Sequence, residues 1–123
     1  MKFVLAVLAC IAAIASSDTI ALAHAQLVKA TPAAESVLSS APTDVTLQFS
    51  ERLESSFSSV NVRDASGKQV DKGDARVDTG DPKILRVSLP PLKSGVYKVE
   101  WRAVATDLHK IQGTYIFRLN TKN

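Results

Sequence analysis

The chain has 123 residues, with one cysteine and two histidines, and 15 Lys and Arg against 12 Asp and Glu give a net charge of +3. That length supports one hydrophobic core and excludes two. The cations are scattered along the sequence without a basic cluster, which argues against a nucleic-acid partner, and a single cysteine cannot form an intrachain disulfide.

The first predicted element is a leader. Lys2 opens a short basic start, Phe3 to Ala15 form an apolar run, and Ala21-Leu22-Ala23 offers the small residues a signal peptidase accepts. The run is too short for a membrane span, and Ser16, Ser17 and Asp18 interrupt it. We therefore expect a signal peptide over residues 1–23 and a secreted domain over residues 24–123. Two other cuts stay open. One follows Ala25 and discards His24; the other uses Val7-Leu8-Ala9-Cys10 as a lipoprotein box and leaves the apolar stretch Ile11 to Ala15 without a role. Cleavage before His24 leaves 100 residues, removes Cys10 and keeps the charge at +3, from 14 basic and 11 acidic side chains. A domain without cysteine must be held by packing and hydrogen bonds alone.

The mature stretch shows no repeat. Apolar residues alternate with polar ones, as half-buried strands require. An early strand is predicted around Gln26 to Ala30. After the turn Ala41-Pro42-Thr43-Asp44, Val45, Leu47 and Phe49 share one face. Ser50 to Phe57 could hold one helical turn, although its serines disfavour helix. Val60 and Val62 repeat the alternation before Asp64-Ala65-Ser66-Gly67, and a weak strand is expected near Ala75 to Val77. Beyond Thr79-Gly80-Asp81-Pro82, Leu85, Val87 and Leu89 form the next face, which Pro90-Pro91 stops. After Lys93-Ser94-Gly95, the clearest strand runs from Val96 to Val104, with Tyr97, Val99, Trp101 and Ala103 inward and Lys98, Glu100 and Arg102 in water. The last strand spans Thr114 to Leu119. About seven strands with regular turns predict an all-β, immunoglobulin-like Greek-key sandwich or barrel. Trp101, Tyr97, Phe49 and Phe117 are read as core residues rather than a ligand surface.

Cleavage before His24 would place a free amine and an imidazole Nδ1 on one residue, a natural chelate. The other histidine, His109, follows Asp107 by two residues. In an extended segment those two side chains share a side and can point at one atom. Two imidazoles, an amine and a carboxylate suit Cu(II), which favours N and O ligands in tetragonal geometry. An unperturbed amine titrates near about 8 and an imidazole near about 6.5, so the ion must displace protons from both. Asp-x-His alone is an unspecific motif, and spacing by itself favours a solvated loop between the last two strands.

Taken together, His24-Ala25-Gln26-Leu27, Thr31-Pro32-Ala33, Leu47-Gln48-Phe49-Ser50-Glu51, the run from Gly95 to Val104, Asp107-Leu108-His109 and Gly113 resemble the CopC (PcoC-like) family of periplasmic copper-resistance proteins. The resemblance spans the mature length in order. It implies a small β-barrel of immunoglobulin-like topology, a periplasmic location, and one Cu(II) per chain held by His24 through amine and ring, by His109 and by Asp107. Glu51 matches the family's acidic position, where it would orient a ligand imidazole. Some members carry a methionine-rich loop for Cu(I). Here Met1 is the only methionine, and the corresponding stretch from Arg63 to Val70 has no sulfur, so the chain resembles the Cu(II)-only type.

The expected function is therefore not enzymatic: a monomer that sequesters Cu(II) or delivers it to a CopD-type inner-membrane transporter, in copper homeostasis or resistance. A metal-free secreted interaction module is the alternative. A copper monooxygenase-like enzyme is a further one, disfavoured because the aromatics alternate into the core and Asp107 would stabilise Cu(II) against reduction.

Overall fold

Along each long strand the alternation of residue types becomes an alternation of burial. The structure is a computed structural model that describes residues 25–122. Eight strands follow one another: β1 (Leu27–Thr31), β2 (Val37–Leu38), β3 (Asp44–Phe49), β4 (Ser59–Arg63), β5 (Arg76–Val77), β6 (Ile84–Ser88), β7 (Gly95–Val104) and β8 (Lys110–Leu119). They form two four-stranded sheets, in the orders β1-β3-β6-β5 and β2-β8-β7-β4. Every pairing is antiparallel except β2 with β8. The fold is an all-β sandwich.

The inner faces meet in one core. Val45, Leu47, Val60, Val62, Leu85, Val87, Val99, Ala103 and Phe117 have no exposed surface. Each side chain of valine size or larger contributes about 1.5–3 kcal/mol of burial free energy. Phe49 meets Trp101 edge to face at 5.2 Å, and Tyr97 stacks on Phe117 at 5.4 Å. Trp101 thus packs on the core as expected, yet it stays half-buried.

Two expectations differ from the outcome. The sequence suggested about seven strands; the additional one, β2, is two residues long and pairs in parallel with the end of β8, so it has no periodicity of its own. The helical turn considered for residues 50–57 is not formed, and the described residues contain no helix. Its backbone is committed elsewhere: Leu53 bridges Ala105, Glu54 N–H donates to the Val104 carbonyl at 2.7 Å, and a tight turn closes from Phe57 N–H to the Glu54 carbonyl at 3.2 Å.

β7 and β8 are the longest strands and pair along ten positions, from Gly95 with Leu119 to Val104 with Lys110. This hairpin fixes where residues 105–109 stand. The buried Ser58 holds its end, since Val104 N–H donates to the Ser58 hydroxyl at 3.0 Å.

Candidate metal centre

The tip of the β7–β8 hairpin carries Asp107, Leu108 and His109. Sequence reasoning treated the segment as extended, and the structure corrects this: it is a turn. Leu108 has a φ of 70°, in the left-handed region that a leucine enters at a cost of roughly 1–2 kcal/mol. Its N–H donates to the Ala105 carbonyl at 2.8 Å, and Ala105 N–H donates to the His109 carbonyl at 3.0 Å. These bonds close the loop tightly and turn the Leu108 side chain out, 71% exposed.

The turn brings the two polar side chains together more closely than an extended strand would. Asp107 Oδ1 accepts the His109 backbone N–H at 3.0 Å, and Asp107 Oδ2 lies 2.9 Å from His109 Nδ1. The carboxylate and imidazole therefore bond to each other. With Nδ1–H donating to the carboxylate, the remaining nitrogen, Nε2, carries the lone pair a metal would use, and the ring's direction is set by Asp107. Both side chains are 44% exposed, so an ion can reach them from water.

The end of β3 ties this loop to the start of the chain. On one side, Gln26 N–H donates to the Ser50 hydroxyl at 2.8 Å, and Ser50 N–H returns a bond to the Gln26 carbonyl at 2.9 Å. On the other, Thr106 N–H donates to the Arg52 carbonyl at 3.0 Å. Residues 25–26 and 105–109 thus stand at one end of the sandwich, with residues 50–54 between them. Ala25 is 1% exposed, which anchors the chain immediately after His24.

His24 itself lies outside the described residues. Glu51 is half-buried between the two sets of backbone bonds, and among the described residues it makes no hydrogen bond or ion pair to Asp107 or His109. Among the described residues no three His, Cys, Asp or Glu side chains gather into a group able to hold a metal. The donors fit copper in kind, one imidazole nitrogen and one carboxylate, and are too few in number. Sequence reasoning passed over Ser50 as an individual residue. Its hydroxyl holds the incoming strand, and a serine directly after an alternating strand was the available signal.

A two-sheet sandwich that offers an Asp-His pair on a hairpin tip, beside its own first strand, defines a small all-β metal-binding protein. The family comparison names the metal. The CopC domain model matches residues 27–120, and the chain belongs to that family, whose members bind copper or confer copper resistance and are not enzymes. Copper resistance protein C of Pseudomonas syringae pv. tomato is 36% identical over 108 residues, covering 83% of this chain and 85% of that protein. The copper transport protein CutJ of Bacillus subtilis is 35% identical over 98 residues, 79% of this chain but only 18% of its own length. Among solved structures, PcoC, a methionine-rich copper resistance protein from Escherichia coli, superposes with a TM-score of 0.68 at 34% identity, over 80% of this chain and all of that one. The function is accordingly copper-related.

Proposed function

We propose that residues 1–23 are a cleaved signal peptide and that the mature chain is a monomeric periplasmic carrier of one Cu(II). The ion is held by the amine and ring of His24, by His109 and by Asp107, with Glu51 placed to orient an imidazole. The observation that carries this reading is the Asp107–His109 pair, set at the end of the sandwich where residue 25 is buried. His24 supplies the donors that the pair lacks.

The choice of Cu(II) over Cu(I) follows from the donors. Nitrogen and oxygen ligands suit Cu(II), whereas the soft thioethers that favour Cu(I) are missing once Met1 leaves with the leader. The carrier passes its ion to a CopD-type membrane transporter. CutJ supports a protein acceptor, since there a stretch similar to this chain is built into a much longer copper transport protein.

Intact mass of the exported protein, with and without one equivalent of Cu(II), reads cleavage and stoichiometry together. The expected masses are those of residues 24–123 and of that chain plus one copper. A variant with one extra residue ahead of His24 loses the amine chelate, and its Cu(II) affinity should fall by at least about a hundredfold on competitive titration. Unchanged affinity in that variant would refute the N-terminal site.

A further inference from the structure

We propose that the outer face of the β2-β8-β7-β4 sheet is a docking surface for an acidic protein partner, seated next to the hairpin tip. Cross-strand register defines the face. Ser59, Arg102 and Gln112 form one row; Asn61, Glu100 and Thr114 the next; Arg63, Lys98 and Ile116 the third. Arg118 and Lys110 extend it at opposite ends of β8, and Lys110 directly follows His109. Five cations therefore share a surface with two carboxylates: Glu35 at its edge and Glu100, which both Arg63 and Lys98 approach at 3.5 Å. Among the described residues neither Arg102 nor Lys110 has a carboxylate within ion-pair distance, and Arg118 reaches only Glu35, at 3.9 Å.

An exposed sheet face is ordinarily just solvated. The other sheet shows what that looks like here: Arg76 pairs with Asp74 at 3.1 Å, Arg86 donates to Thr46 at 3.1 Å, and Asp44 stands on the same face. On the β2-β8-β7-β4 sheet the cations outnumber the carboxylates more clearly. An open groove crosses its first two rows, lined by Ser59, Asn61, Gln112 and Thr114 as well as by Glu100 and Arg102, with Trp101 and Gly113 also bordering it. Hydroxyl and amide groups interleaved with cations suit carboxylates presented by a folded surface. A lipid layer of one charge would meet Glu100 as a repulsion in the middle of its footprint. Complementary charge of this kind raises encounter rate and fixes orientation. The inference rests on the hand-off reading only for the partner's role: docking here brings an acceptor alongside His109.

The test uses metal-free chain of residues 24–123, isotope-labelled for amide NMR, with a polyglutamate peptide as probe. Amide shifts are expected along β4, β7 and β8, weakening as salt rises. In a Lys98→Glu, Arg102→Glu variant the apparent affinity should drop roughly tenfold or more, while Lys98→Arg with Arg102→Lys should retain it. Shifts centred on Lys29, Lys72 and Lys83, or equal binding by the charge-reversed variant, would overturn the proposal. So would binding to phosphatidylglycerol vesicles without binding to the peptide. Cu(II) titration is read separately on the same samples: loss of copper binding by the unaltered chain sinks the carrier reading and leaves the peptide result intact.

Discussion

One carboxylate makes two of the contacts that shape the hairpin tip, and its two oxygens have different duties. Oδ1 holds the backbone at His109, and Oδ2 holds the ring. An Asn at position 107 keeps an oxygen for the backbone N–H and loses the charge that favours a cation bound to the imidazole. Asp107→Asn should therefore preserve the loop while weakening Cu(II) by at least about 10- to 100-fold, since losing a ligand carboxylate costs no less than losing an outer partner of a metal-bound histidine. Asp107→Ala loses both duties and should weaken it further. Competitive copper titration measures the difference, and amide shifts at Ala105 and Leu108 report whether the turn survived. Equal affinities for the two variants would mean that the backbone bond contributes nothing. The residue types at this site were legible in the sequence, because His and Asp stand out in a chain with so few candidates. The turn was not. Nothing in the triplet Asp-Leu-His announces a leucine at positive φ, since the bonds that hold it there come from Ala105 and from the end of β3.

At the level of strands, legibility followed period. β3, β4, β6, β7 and β8 carry their core residues at every second position, so their inward faces could be read directly. β2 could not, for its two residues are strand only because the end of β8 lies beside them. Residues 50–54 were misread for a related reason, their backbone bonds being made to segments distant in sequence. The pairing of β7 with β8 shows how a glycine can matter without a special φ. Gly113 lies opposite Trp101, and a Cβ there would stand 2.5 Å from Trp101 Cζ2 and 2.8 Å from Cε2. The indole cannot retreat easily, because its edge packs on Phe49. Gly113→Ala should cost about 1–3 kcal/mol, the usual penalty of overpacking. Chemical denaturation gives the number. A simultaneous Trp101→Phe exchange, with its smaller ring, should recover part of the loss. If Gly113→Ala alone left the midpoint unchanged, the close approach would not constrain the hairpin.

Across the whole molecule, charge is organised in a way the linear sequence conceals. Cations scattered from Arg63 to Arg118 come together only when β4, β7 and β8 align. Two of the acidic side chains that brace the fold, Asp64 and Asp74, stand at the end away from the hairpin tip. Asp64 follows β4, where the Ser66 hydroxyl chiefly, against an opposing desolvation and with help from the backbone N–H groups of Lys68 and Ser66, holds its carboxyl below the usual carboxylate range. Asp74 is held down in the same sense by Ser88, through side chain and then backbone, and its neighbour Arg76 adds to this. A carboxyl whose folded-state value is depressed stabilises the native state above its unfolded value and loses that contribution as pH falls through the folded one. Stability should thus stay level from neutral pH down to the ordinary carboxylate range and decline below it. Protons compete with the ion for the amine and imidazole donors, while the carboxylates that brace the fold are held low, so copper should leave a domain that is still folded. Thermal midpoints followed from pH 7 to 2, alongside bound Cu(II), test both statements. Asp64→Asn combined with Asp74→Asn should lower the midpoint at neutral pH, flatten its acid decline, and leave the pH of copper release where it was. A shift of copper release with those substitutions would show that the two ends of the sandwich are coupled.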